Sequence, residues 1–217
     1  MAVTPLELPS LKLHNSGSFA IERYQIGGGA GQTADVSDPL WVATYNFAGF
    51  PTRADRDLWQ GFLDSLNGLM TPVLAFDPAR RVPLTYYNAD GTPPTSGSPW
   101  GTPVVAAYDR AASTFDMTGL TNDMELSNGD YISFQDTASR WHLHKLTAAA
   151  TVSGTGTVTV TVAPRPARGL THGGASVRMR DACCTMVMRW PSDAFRYGPA
   201  NGGPLTITGQ QVTKAFL

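Results

Sequence analysis

A chain of 217 residues can bury a substantial core, as one large domain or two small ones, and 16 Lys and Arg against 17 Asp and Glu leave no basic excess for holding phosphates. Only 15% of residues are charged, while 22 Gly and 16 Pro favour short strands and turns over long solvated helices, so neither a nucleic-acid binder nor a helical bundle is indicated. The amino terminus lacks the charged and apolar regions of a secretory signal. No charge-free stretch, Leu146 to Pro164 included, is apolar enough to span a bilayer, so a soluble protein made in a cytoplasm is predicted, with no membrane insertion.

Residues 1–17, with Leu6, Leu8, Leu11 and Leu13 among prolines, read as an arm that orders only on docking. Ser18 to Ile26 predicts a strand, Phe19 and Ile21 on one face and Ala20, Tyr24 and Ile26 on the other. The run Gly27-Gly28-Gly29-Ala30-Gly31 through Pro39 predicts a long loop, and loops of that length are more often functional than idle. It is not a dinucleotide cradle, because Gln32 replaces the final glycine and Asp38-Pro39 follows instead of a helix.

Leu40 to Phe47 alternates, with Trp41, Ala43, Tyr45 and Phe47 on one face, which predicts a half-buried strand. Thr52, followed by Asp55 and Asp57, predicts a capped helix start. Leu58, Trp59, Phe62, Leu63 and Leu66 then form an apolar stripe, and Asn67-Gly68 closes the helix. Pro72 to Phe76 predicts a short buried strand.

Beyond it, Asp77 to Arg81 reads as a turn, Val82 to Tyr87 as a strand, and the Gly- and Pro-rich Asn88 to Gly101 as a loop dividing the chain. Residues 1–87, completed by 204–217, are expected to form one domain and residues 88–203 a second, a small β-barrel. Strands are predicted at Pro103 to Tyr108, Tyr131 to Phe134 after the Asn128-Gly129-Asp130 turn, Arg140 to Leu146, Thr155 to Val162, Ala175 to Met179 and Thr185 to Trp190. In Thr157 to Val162 the valines face one side and the threonines the other. Leu205 and Ile207 alternate with Thr206 and Thr208 in a last strand that returns to the first half.

Motifs for chemistry are sparse. His142 and His144 share a strand face at a spacing that suits two zinc ligands, yet His172, Asp130 and Asp136 stand in loops without the spacing of a third. Trp141 and Leu143 opposite them read simply as the other face of an amphipathic strand. Asp123, Glu125 and Asp130 fit a solvated hairpin end as well as a hydrolase pair, and no G-x-S-x-G elbow is present. Cys183 and Cys184 are adjacent, which favours two thiols over a strained ring. Trp100, Tyr108 and Trp190 offer a saccharide platform, against which stands the commoner use of tryptophan in a core. No enzyme and no cofactor are expected.

One resemblance stands out. Leu40-Trp41-x-Ala43-x-Tyr45-Asn46-Phe47, Ala54-Asp55, Leu58-Trp59-x-Gly61-Phe62-Leu63-x-Ser65-Leu66-x-Gly68 and Phe76-Asp77-Pro78 resemble the distal and minor tail proteins of long-tailed bacteriophages. Leu126 to Ile132, the Arg140 strand and Gly154 to Pro166 with Arg168 resemble the added barrel of such proteins. The resemblance implies a mainly β, tail-tube-like fold with one packed helix plus a small β-barrel, in a structural virion protein at the distal end of the tail. It implies a homo-oligomeric ring, taken as a hexamer, with tail tube protein on one side and hub or baseplate protein on the other. The tape measure protein is a further partner, and DNA passes through without being specifically bound. Phe19, Ile21, Arg23, Trp41, Tyr45 and Phe47 are then expected at the ring interface and Gly27, Gly28, Gly29 and Gly31 in an inter-ring loop. The alternatives are a carbohydrate-binding β-sandwich built on Trp100 or Trp190, and a zinc hydrolase built on His142 and His144.

Overall fold

The computed structural model describes residues 40–47, 50, 52–67, 71–88, 91, 99–167, 170, 174–191 and 205–212, with the backbone alone of four earlier strands. Those four are β1 (Leu6–Glu7), β2 (Gly17–Glu22), β3 (Gln25–Gly28) and β4 (Gln32–Asp35). Then come β5 (Leu40–Phe47), α1 (Arg53–Ser65), β6 (Val73–Phe76), a 3-10 turn (Leu84–Tyr86), β7 (Gly101–Asp109), β8 (Thr114–Leu120), β9 (Glu125–Leu126) and β10 (Tyr131–Gln135). The series ends with β11 (Trp141–Leu146), β12 (Ala150–Thr151), β13 (Val158–Ala163), β14 (Val177–Arg178), β15 (Cys183–Arg189) and β16 (Leu205–Gln211). The fold is mainly β with one α-helix among the described residues.

Two six-stranded sheets carry it. The first runs β1-β6-β15-β16-β5-β2 and the second β14-β10-β11-β13-β8-β7. The second curls into a half-barrel whose end strands meet at an isolated bridge between Val104 and Ser176. β15, expected in the second half, lies instead in the first sheet, between β6 and β16. The first lobe therefore takes strands from both ends of the chain, and the second is an insertion between β6 and β15. Val82 to Tyr87 is not a strand; from Pro83 the backbone turns into the 3-10 turn, where Leu84 N–H donates to the Asp130 carboxylate at 2.8 Å.

The helix starts as its sequence dictates. Asp55 N–H donates to Thr52 Oγ1 at 3.1 Å, and Thr52 Oγ1 donates to the Asp55 carboxylate at 2.7 Å, so one side chain satisfies an orphan donor and the other orders the cap. It ends at Asn67, whose φ of 49° is the left-handed closing conformation; Gly68 lies outside the described residues. Trp59, Leu63 and Leu66 are buried and Phe62 packs beside them. Leu58, expected in the same stripe, is 53% exposed. Adjacent helical residues sit about 100° apart, so the face centred on Trp59 and Leu63 carries Leu58 out to the flank. Burial of the three inward side chains stabilises by about 2 kcal/mol each before entropy is subtracted.

In the second lobe Val160 and Val162 point inward with Phe115, Met117, Phe134 and Leu146, while Thr159 and Thr161 stay exposed. At its rim Gly101 and Gly119 face each other with φ of +79° and +78°. A Cβ on Gly119 would lie 2.6 Å from the Thr102 carbonyl oxygen, backbone that has nowhere to go. Gly61, mid-helix, has nothing within 4 Å of its would-be Cβ. Gly119→Ala is expected to cost about 2 kcal/mol or more, a melting-point drop of about 5 °C, whereas Gly61→Ala raises stability by about 0.5–1 kcal/mol. Thermal scans of the two variants check both signs.

Candidate functional site

The first sheet offers two unlike faces. On one, Trp41, Ala43, Tyr45 and Phe47 of β5 join Leu205 and Ile207 of β16, Met186 and Met188 of β15, and Val73 and Ala75 of β6 in a core with α1. Phe47 meets the Trp59 ring edge-on at 4.8 Å, which seats the helix on the sheet. The other face carries Thr44 and Asn46, with Thr206 and Thr208 opposite them in register. Thr206 Oγ1 donates to Asn46 Oδ1 at 2.9 Å. Among the described residues of β5, β6, β15 and β16, Arg189 is the one charged side chain. This face is mixed: Thr44, Asn46, Thr206, Thr208 and Gln210 share it with half-buried Leu40, Val42, Leu74 and Val187.

The sheet's margins are β1 and β2. β5 pairs with β16 from Val42 to Phe47 and with β2 from Leu40 to Tyr45, so it is an interior strand rather than an edge for a second molecule. Trp41, Tyr45 and Phe47, expected at a ring contact, are buried in the chain's own core instead. The reason is the alternation that made them visible: a face with three large aromatic side chains needs a cover, and α1 together with β10 and β11 supplies it. Tyr45 O–H donates to the Phe76 carbonyl at 2.8 Å, and burial with nearby Cys184 pushes its phenol well up. β2, by contrast, pairs with β5 on one side alone among the described residues. Phe19 and Ile21 are described in backbone only, and Arg23, Gly29 and Gly31 lie outside the described residues. Gly27 and Gly28 are not loop; they belong to β3, which pairs with β4 as a hairpin with Gly27 opposite Thr33.

No protein-family model and no curated protein matches the sequence.

The other sequence candidates are structural. His142 and His144 stack on Phe134 with ring centroids 5.9 and 5.8 Å away. The strand that carries them is not amphipathic, because Leu143 on its other face is buried in the first core. His142 Nε2 lies 3.0 Å from Asp136 Oδ2, and Asp136 also receives Arg140 Nε and Nη2 at 2.9 and 2.7 Å. Burial alone would raise the Asp136 carboxyl, but the bonds from His142 and Arg140 outweigh it and hold the group well below the usual carboxylate range. His144 Nδ1 donates to the Pro164 carbonyl at 2.8 Å, leaving Nε2 buried without a partner. Burial, helped by His142, depresses the His144 imidazole to about 3. Among the described residues no three His, Cys, Asp or Glu converge as metal ligands; His172 lies outside them.

Asp130, read as a solvated hairpin end, is buried and anchors Ser127 and Leu84 N–H groups. Trp100 is 4% exposed, under Tyr86 and Arg180, and so cannot serve as a saccharide platform. Trp190 packs half-buried against the first core, and Tyr108 O–H donates to the Leu170 carbonyl. Cys183 and Cys184 are buried and not joined in a disulfide, and burial beside Cys183 pushes the Cys184 thiol well up, which disfavours its reactive form. Among the described residues no helix is long and apolar enough to cross a membrane.

Proposed function

We propose that this chain is a structural subunit of a bacteriophage tail, forming a ring at the distal end of the tail tube and joining it to the hub or baseplate. The observation that carries the reading is a helix-backed sheet whose opposite face bears a Thr, Asn and Gln patch with Arg189 as its one charge in β5, β6, β15 and β16, and whose margin, β2, is unpaired on its outer side among the described residues. The resemblance of the Leu40 to Phe76 segment to distal tail proteins supports it. Copies joined through that margin would complete one another's sheets and remove exposed edges. The ring contact moves from the β5 side chains to the β2 backbone. The Thr and Asn face would then line the channel, where a near-absence of cations lets DNA pass without being held. The β3–β4 hairpin is the contact with the neighbouring ring.

Strand-blocking variants test it. Successive backbone N–H groups of a strand point to opposite edges, so of Ala20→Pro and Ile21→Pro one removes a bond to β5 and the other a bond at the outer margin. The expected outcome is that wild-type protein shows rings by electron microscopy, and that the outer-edge variant keeps the wild-type circular dichroism but scatters light as a monomer. A wild-type chain that is monomeric at every concentration would overturn the proposal.

A further inference from the structure

The outer face of the second lobe holds a shallow groove of about 760 Å³, formed where β8 pairs with β13 and walled by residues 149–151. That volume lies in the range of small-ligand sites, about 300–1,000 Å³. Its polar lining is Asp116, Thr118, Thr151, Thr157 and Thr159, the small side chains of Ala149 and Ala150 wall it, and no Lys, Arg or His contributes.

The hydrogen-bond directions in this lining decide what it can take. Thr159 Oγ1 donates its one proton to Asp116 Oδ1 at 2.6 Å and keeps only lone pairs for a guest. Thr157 Oγ1 closes a ring with Ser153 and Thr155 hydroxyls, at 2.8, 2.8 and 3.1 Å. Three hydroxyls hold three protons, so a closed ring of three contacts uses all of them and turns lone pairs outward. Along β13 and at Asp116 the groove therefore presents acceptors, with the Thr118 and Thr151 hydroxyls beside them able to donate or accept.

We propose that this groove binds a neutral oligosaccharide. Such a ligand supplies hydroxyls that donate to the acceptors and exchange bonds with Thr118 and Thr151, and C–H faces to cover the alanines. An anionic glycan would meet the Asp116 carboxylate with no cation in the lining to offset it. A metal ion needs several oxygens converging on one point, whereas these are spread along the groove with a single carboxylate. The shallow form suits a chain lying across the surface. This inference does not depend on the ring.

The test uses the full chain. A glycan array carrying neutral and anionic oligosaccharides identifies a ligand, and calorimetric titration with the best neutral one measures affinity. Wild-type protein is expected to bind neutral glycans, with Asp116→Ala and Thr118→Val each weakening Kd by about tenfold or more, the loss of one or two hydrogen bonds, at unchanged melting temperature. Should Asp116→Ala melt early, Thr118→Val alone decides. Absence of any neutral glycan ligand, a preference for anionic glycans, or unaltered affinity in Thr118→Val would each overturn the proposal. The light-scattering state of the protein is read in the same samples, so a failure here is distinguishable from a failure of the ring.

Discussion

Trp41→Ala is expected to remove about 5 kcal/mol of stability, a third or more of what a domain of this kind possesses. Trp41 is 1% exposed and stands where the two lobes meet. Its indole Nε1 donates at 2.6 Å to the carbonyl of Leu143, 102 positions away, and its ring meets Tyr131 edge-on at 5.7 Å. Arg80 in turn lies over the Tyr131 ring. Truncation of a buried large aromatic costs about 3–5 kcal/mol through lost burial and the cavity left behind, and stripping the Leu143 carbonyl of its donor adds about 1–2 kcal/mol. Trp41→Phe keeps most of the ring and loses the N–H, so about 1–2 kcal/mol is expected there. Urea unfolding of the three proteins checks the series, and a loss below about 2 kcal/mol in Trp41→Ala would show that the seam closes without it.

Acid is expected to destabilise this protein in two stages, beginning at unusually mild pH. His144 is 3% exposed, and burial lowers its folded pKa from 6.5 to about 3. The unfolded chain thus binds a proton between those values while the folded one does not. Stability is fully present above pH 6.5 and falls by about 1.4 kcal/mol per unit below it, a loss of about 3 kcal/mol by pH 4.5. Asp136, whose folded pKa is depressed, adds stability above the ordinary carboxylate value that is lost as pH falls past it. Both stages strike the same strand, since the loop holding Asp136 leads into β11. His144→Leu removes the first stage: its unfolding free energy should stay flat between pH 6.5 and 4.5 and fall only below. A wild-type protein as stable at pH 4.5 as at 7 would contradict the buried neutral imidazole.

Much of this architecture was legible before the structure. The Thr52 cap, the helix, the alternation of β5 and the inward valines of β13 are local patterns, and local patterns survive folding. Sheet partners are another matter, because alternation tells which face is buried but not against what. Hence β15 was set in the wrong half, and Trp41 read as an interface residue when another part of the same chain covers it. β8 is hard to read because Gly119 breaks the alternation that Phe115, Asp116 and Met117 begin, though a close backbone approach requires a glycine there. The β3 strand hid in a glycine run, where no side chains mark a face. The imidazoles of His142 and His144 looked like ligands because a strand buried on both sides leaves no polar stripe to betray that it is core.

The insertion of the second lobe has a consequence for biosynthesis. Every strand of the curled sheet falls between Gly101 and Arg178, so that sheet holds all its partners once residue 178 has left the ribosome. β5 and β6 emerge far earlier, yet their neighbours β15 and β16 follow the curled sheet in the chain. The vectorial order of synthesis therefore lets the later lobe mature first, while one edge of β5 waits for β16 and lies open to the wrong partner in the meantime.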